Sequence, residues 1–169
     1  MEQSNRSLLR RIRWCLGFFM VGLVLSGVTA FPLQGELRLL DNFLSGANGN
    51  SMLLSNLAYW IHTVHEGVET TYAQYPWLAY GTDWLAFAHI IIAIFFIGPF
   101  LHPVRNIWVL QAGMAASVLV IPLAVICGAF RHIPFGWRLI DCSFGIIGIV
   151  PLYFCWRWAR RLELSETKP

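Results

Sequence analysis

The amino-acid sequence predicts an all-α integral membrane protein: a four-helix bundle with an additional amphipathic interfacial helix in one long outer loop. Three observations carry that expectation. Of the 169 residues, 57% are hydrophobic and only 12% charged, against about 25% charged in an ordinary soluble domain. Several runs lack any charge over the roughly 20 residues that a helix needs to cross about 30 Å of hydrocarbon. The charges that do occur gather at the ends of those runs, as topological anchors do.

Residues 14–35 hold no charge before Glu36 and form the first span. Arg11 and Arg13 before it and Val28-Thr29-Ala30 within it also fit a signal peptide with its cleavage site. The apolar run exceeds the usual signal core, which favours a retained anchor. The second span, 84–102, lies between Asp83 and Arg105 and ends in Gly98-Pro99 and His102-Pro103. The third, 106–130, contains Pro122, where a missing amide hydrogen bond should kink the helix. The fourth, 135–156, carries Arg138 and Asp141 in its first turns and aromatic residues near its ends, leaving 157–169 as a tail. Gly113 with Ser117, and Gly145 with Gly148, would let the third and fourth helices approach closely.

The long loop, 36–83, passes through the turn-rich Ser45-Gly46-Ala47-Asn48-Gly49-Asn50-Ser51. Beyond it, residues 51–72 read as an amphipathic helix. Leu53, Leu57, Trp60 and Val64 share one face, while Ser51, Ser55, His62, His65, Glu66 and Glu69 share the other. Such a helix belongs at the membrane interface. The whole chain reads as a single domain, with no linker and no internal repeat.

The net charge of +3 is uneven, with Arg6, Arg10, Arg11 and Arg13 at one end and Arg157, Arg160, Arg161 and Lys168 at the other. Basic clusters at both ends of an even number of spans place both termini in the cytoplasm. The clusters are short and lack interleaved aromatics, so no nucleic-acid partner is expected. Four cysteines, Cys15, Cys127, Cys142 and Cys155, form no Cys-x-x-Cys pair. They suggest neither zinc nor a thioredoxin-like motif. Cys127 and Cys142 fall near the same membrane face, and their spacing leaves a disulfide open.

This topology collects the ionisable residues outside, with Glu36, Arg38 and Asp41 at the start of the long loop among them. The candidate outer pocket comprises His62, His65, Glu66, Glu69, Asp83, His89, Arg131, His132, Arg138 and Asp141. Offsets of three, four and seven set His62, His65, Glu66 and Glu69 on a single stripe, a candidate set for a divalent metal ion. Their order matches neither zinc-peptidase motif, and a hydrated helix face is the alternative. Arg138 and Asp141, three apart, are placed to pair across one turn. His89, inside the second span, needs a partner on a neighbouring helix. Haem is not expected, because the third and fourth spans offer no second axial histidine.

The stretches Ala30-Phe31-Pro32-Leu33, Tyr80-Gly81-Thr82-Asp83-Trp84-Leu85-Ala86-Phe87-Ala88-His89 and Ile140-Asp141-Cys142-Ser143-Phe144-Gly145 resemble small, uncharacterised multi-pass inner-membrane proteins of bacteria. That resemblance implies a plasma-membrane location and a multi-pass fold, and brings no activity with it. Nucleophile, phosphate-loop and dinucleotide motifs are missing, so catalysis has no sequence support of its own. The first expectation is a non-enzymatic accessory or binding protein with an outer polar pocket. The others are an enzyme acting on a lipid or small molecule at the outer leaflet, metal-dependent through the stripe, and a small permeation or proton-relay protein. Partners would be the lipid bilayer, a homo-oligomer or a membrane complex.

Overall fold

The computed structural model describes residues 2–46 and 52–166, and side chains within 5–46 and 54–165. Those residues are almost wholly helical, and no strand occurs among them. The helices are α1 (Glu2–Ala30), α2 (Leu33–Gly46), α3 (Met52–Gln74), α4 (Ala79–Phe95), α5 (Ile97–Leu101), α6 (Ile107–Phe130) and α7 (Phe135–Glu166). A 3₁₀ turn, Pro76–Leu78, leads into α4. Among the described residues, four stretches are long and apolar enough to cross a membrane: Asn5–Ala30, Pro76–Leu101, Ile107–Phe130 and Phe135–Ser165.

Prolines explain where the element boundaries depart from the sequence reading. The first apolar run is not one helix to Gly35, because Pro32 disfavours a helical Phe31 and α1 stops at Ala30. The chain restarts at once as α2, with the Glu36 amide donating to the Pro32 carbonyl and Glu36 in the positively polarised first turn. What was expected as one helix in the long loop is therefore a pair, α2 and α3. Pro99 lacks the amide that the Phe95 carbonyl would accept, and α4 ends at Phe95 before α5 begins. Helix α6 runs unbroken through Pro122, and α7 continues ten residues past the expected end at Trp156, to Glu166.

The described helices fall into two compact units, residues 1–22 with 92–169, and residues 23–91. In the first unit the start of α1 packs on the end of α7. Leu152, Cys155, Ala159 and Leu162 recur at heptad-like spacing on α7 and are buried, as are Ile12 and Leu16 of α1. The Cys155 thiol donates to the Ile12 carbonyl and the Cys15 thiol to the Pro151 carbonyl, at 3.9 and 3.6 Å. Cys142, also buried, donates to the Ile121 carbonyl, and no disulfide forms among the described residues.

Helices α6 and α7 meet through the small residues. A Cβ on Gly145 would overlap the Ser117 carbonyl oxygen, and one on Gly148 would lie 3.0 Å from Ser117 Oγ. In the second unit, α1 and α4 make a similar approach, where a Cβ on Gly27 would lie 2.7 Å from the Ala86 carbonyl oxygen. There too the partner is backbone, which cannot move aside.

Gly145→Ala is expected to destabilise the chain by about 1–3 kcal/mol, since overpacking against a fixed carbonyl outweighs alanine's helix preference. Gly67→Ala, which meets nothing within 4 Å, should instead be neutral or stabilise by up to about 1 kcal/mol. Unfolding midpoints of the detergent-solubilised chain check both, and equal effects would contradict the backbone-contact account.

Candidate functional site

Helices α2 and α3 pack together around Leu37 and Ile61, with Asp41 one turn beyond Leu37 on the same buried face. Asp41 is the buried charged residue of the described chain, at 8% exposure. A buried carboxylate requires hydrogen-bond donors. Two imidazoles supply them: Asp41 Oδ2 accepts from His62 Nδ1 at 3.0 Å and from His65 Nδ1 at 2.9 Å. The opposite nitrogens face carboxylates on the same helix, His62 Nε2 to Glu66 at 3.5 Å and His65 Nε2 to Glu69 at 3.7 Å. The predicted stripe is thus a network of two imidazoles and three carboxylates spanning two helices.

Asp41 is the residue the sequence reading left out of the site. The available signal was a carboxylate one turn from Leu37 in the most amphipathic helix of the chain, but α2 itself had not been separated from the first span. The expected apolar stripe of α3 is partly visible: Leu57, Trp60 and Val64 are half-buried, and Leu53 lies outside the side chains described.

The His62 and His65 hydrogen bonds hold the Asp41 carboxyl below its ordinary range, and Asp41 in turn raises His62 above its ordinary value. The window has two edges. Asp41's share of the contact is complete above the usual carboxylate range and fades as pH falls through its lowered value. His62's share is complete below the usual imidazole value and fades as pH rises through its raised one. The pair is strongest at mildly acidic to neutral pH.

Beside this network lies a cleft of about 260 Å³ lined by Gln34, Gly35, Arg38, His65 and Glu69. It offers an amide, a guanidinium, an imidazole and a carboxylate within one concavity. Among the described residues no group of three or more His, Cys, Asp or Glu side chains is arranged to hold a metal ion. The imidazole nitrogens of the stripe face carboxylates instead.

Asp83 is in a different cleft, with Phe31, Tyr80, Trp84 and Phe87. The His89 side chain does not reach a neighbouring helix as expected; its Nδ1 donates to the Leu85 carbonyl of its own helix at 2.8 Å. An accessible carbonyl one turn back satisfies it locally.

Arg131, His132, Arg138 and Asp141 belong to the other unit. Arg138 and Asp141 do not pair. The Arg138 stem crosses Gly128, its guanidinium donates to the Val125 carbonyl at 3.4 Å, and it lies 5.4 Å from the Phe135 ring centroid. The negatively polarised end of α6 attracts the cation in place of the carboxylate. His132 caps that end: its φ is 58°, its amide donates to the Ala129 carbonyl, and the Ile133 amide donates to the Gly128 carbonyl. Those two bonds make a Schellman motif, in which glycine is the favoured residue at this position. Arg131 is exposed beside it.

Comparison of the chain with protein-family models, curated proteins and solved structures gave no match.

Two outcomes follow. Asp41→Asn should return His62 to its ordinary titration and loosen α2 from α3, read as faster amide exchange across 33–46 with α6 and α7 unchanged. His132→Gly should stabilise the chain by about 1 kcal/mol by relieving a left-handed non-glycine residue, seen as a higher unfolding midpoint; a lower one would show that the imidazole holds its own contacts.

Proposed function

We propose that the chain is a multi-pass protein of the bacterial inner membrane whose α2–α3 hairpin forms a proton-responsive binding site on the outer face, and that it binds rather than transforms its ligand. The single observation behind the site is the Asp41 oxygen shared by two imidazoles, which fixes one wall of the adjoining polar cleft. Arg38 and Glu69 give that cleft opposite charges, and the complement is a small solute bearing both a carboxylate and an amine.

Membrane residence is supported by the four apolar stretches and by what they expose. Helix α6 is apolar all round, and Leu119, Leu123, Ile126 and Phe130 are uncovered, a pattern suited to lipid. The arginine clusters put both termini in the cytoplasm. Helix α2 serves as the interfacial helix better than α3, since Leu39, Leu40 and Phe43 form an exposed apolar stripe opposite Leu37 and Asp41.

A second reading, an enzyme at the outer leaflet, draws on one observation. His65 is oriented by Asp41 through Nδ1 while the residue lines the cleft, as an acid–base imidazole would be. No serine, threonine or cysteine lines that cleft among the described residues, which favours binding.

Reporter fusions should place both ends of the chain in the cytoplasm and an insertion at residues 47–50 outside; termini on opposite sides would contradict the span count. In thermal-shift titrations of the purified chain, free glycine should stabilise more than acetate or methylamine. Arg38→Gln and Glu69→Gln should each remove that advantage. Equal responses to all three solutes would overturn the zwitterion reading.

A further inference from the structure

The cysteines that meet are not the two that spacing left open. Cys127 is exposed and the Cys142 thiol turns to the Ile121 carbonyl. Cys15 of α1 and Cys155 of α7 come together instead, within the first unit, and two hydrogen bonds fix how. The Cys155 thiol donates to the carbonyl of Ile12, three residues before Cys15, and the Cys15 thiol donates to the carbonyl of Pro151, four residues before Cys155. A helical carbonyl points along its helix, and the side chains three and four residues on lean back over it. Each sulfur therefore lies against the base of the other cysteine, and the two side chains engage each other. Ile12, Leu16, Leu152 and Ala159, all 0% exposed, close around them.

The two thiols are unequal in access. Cys155 is 0% exposed, whereas Cys15 is half-buried and flanked on α1 by the exposed Trp14 and Phe18. A reagent meets Cys15 first, and Cys155 stands ready to resolve what forms there. A reachable thiol beside a second, resolving one is the arrangement of peroxide-reactive cysteines. Both residues lie inside apolar stretches, Asn5–Ala30 and Phe135–Ser165, so the oxidant that fits is one that dissolves in hydrocarbon.

We propose that Cys15 and Cys155 reduce an organic hydroperoxide of the lipid phase and are themselves joined as a disulfide. The Cys15 sulfur attacks the terminal oxygen of the peroxide, the O–O bond breaks, and the Cys15 proton passes to the departing oxygen, which leaves as an alcohol. Cys155 then attacks the sulfenic sulfur, the S–O bond breaks, and hydroxide leaves with the Cys155 proton as water. The thiols lose the electron pair that the hydroperoxide gains, and the product carries no charge into the apolar interface. The choice of a lipid-phase oxidant rests on the membrane reading proposed above; the sulfur geometry does not.

The test treats the reduced full chain in nanodiscs with cumene hydroperoxide or hydrogen peroxide at equal concentration, read by intact mass and by peptide mapping without reductant. Cumene hydroperoxide is expected to link Cys15 to Cys155 within one chain, with release of cumyl alcohol, at least about tenfold faster than hydrogen peroxide. Replacing Cys127 and Cys142 together by Ser should leave that rate unchanged. Cys155→Ser keeps a hydroxyl donor for the Ile12 carbonyl and should halt the reaction at a Cys15 sulfenic acid that dimedone traps. Cys15→Ser should lose the reaction, with no dimedone adduct on Cys155. Should Cys155→Ser fail to fold, the peptide map of the unaltered chain and Cys15→Ser decide. A bond between other cysteines, no bond with either peroxide, or dimedone trapping at Cys155 rather than Cys15 would overturn the dithiol. Equal rates with the two peroxides would overturn the lipid-phase oxidant, and reporter fusions test the membrane reading apart from it.

Discussion

The α2–α3 hairpin depends on one buried oxygen. Asp41 Oδ2 receives both His62 and His65, residues three apart on α3, so a single carboxylate fixes the rotation of α3 about its axis as well as its distance from α2. Burial of Leu37 on α2 and Ile61 on α3 favours packing of the pair without choosing a register. A charge-assisted, two-donor contact does choose one. Everything the cleft presents follows from it: with both Nδ1 atoms committed inward, the Nε2 atoms must face outward, toward Glu66 and Glu69.

Much of the fold was legible because the physics of an apolar span is coarse. Length, lack of charge and flanking basic residues are properties of whole segments, and the stretches ending at Leu101 and Phe130 survive small errors in their bounds. The small residues were legible for a similar reason, since Gly113, Ser117, Gly145 and Gly148 have few other uses within apolar helices. What was not legible turned on single residues. Pro32 sits inside an uncharged run that hydropathy joins into one helix, and only the local clash with Phe31 divides it. Losing that break hid α2, and with it the packing that sets Asp41 against His62 and His65.

The polar residues show the same division. Periodicity along α3 was enough to align His62, His65, Glu66 and Glu69, because all four are on one helix. Their common partner lies 21 to 24 residues away on another, beyond the reach of any helical period. Arg138 and Asp141 are the converse: adjacent on one face of α7, they remain unpaired because the end of α6 and the gap above Gly128 offer the guanidinium a better place. Spacing along a helix states which pairs can form. It does not rank them against partners supplied by another helix.

The account rests on both imidazoles donating from Nδ1 to an ionised Asp41. Isolated neutral histidine in water favours the proton on Nε2, so the arrangement has a spectroscopic consequence that no apolar packing could imitate. The decisive measurement is nitrogen-15 NMR of the imidazole rings in chain labelled at histidine, with His62 and His65 assigned by substitution and followed from mildly acidic to alkaline pH. The account predicts that both carry the Nδ1 proton across that range. Neutral His62 and His65 carrying the proton on Nε2 would contradict it.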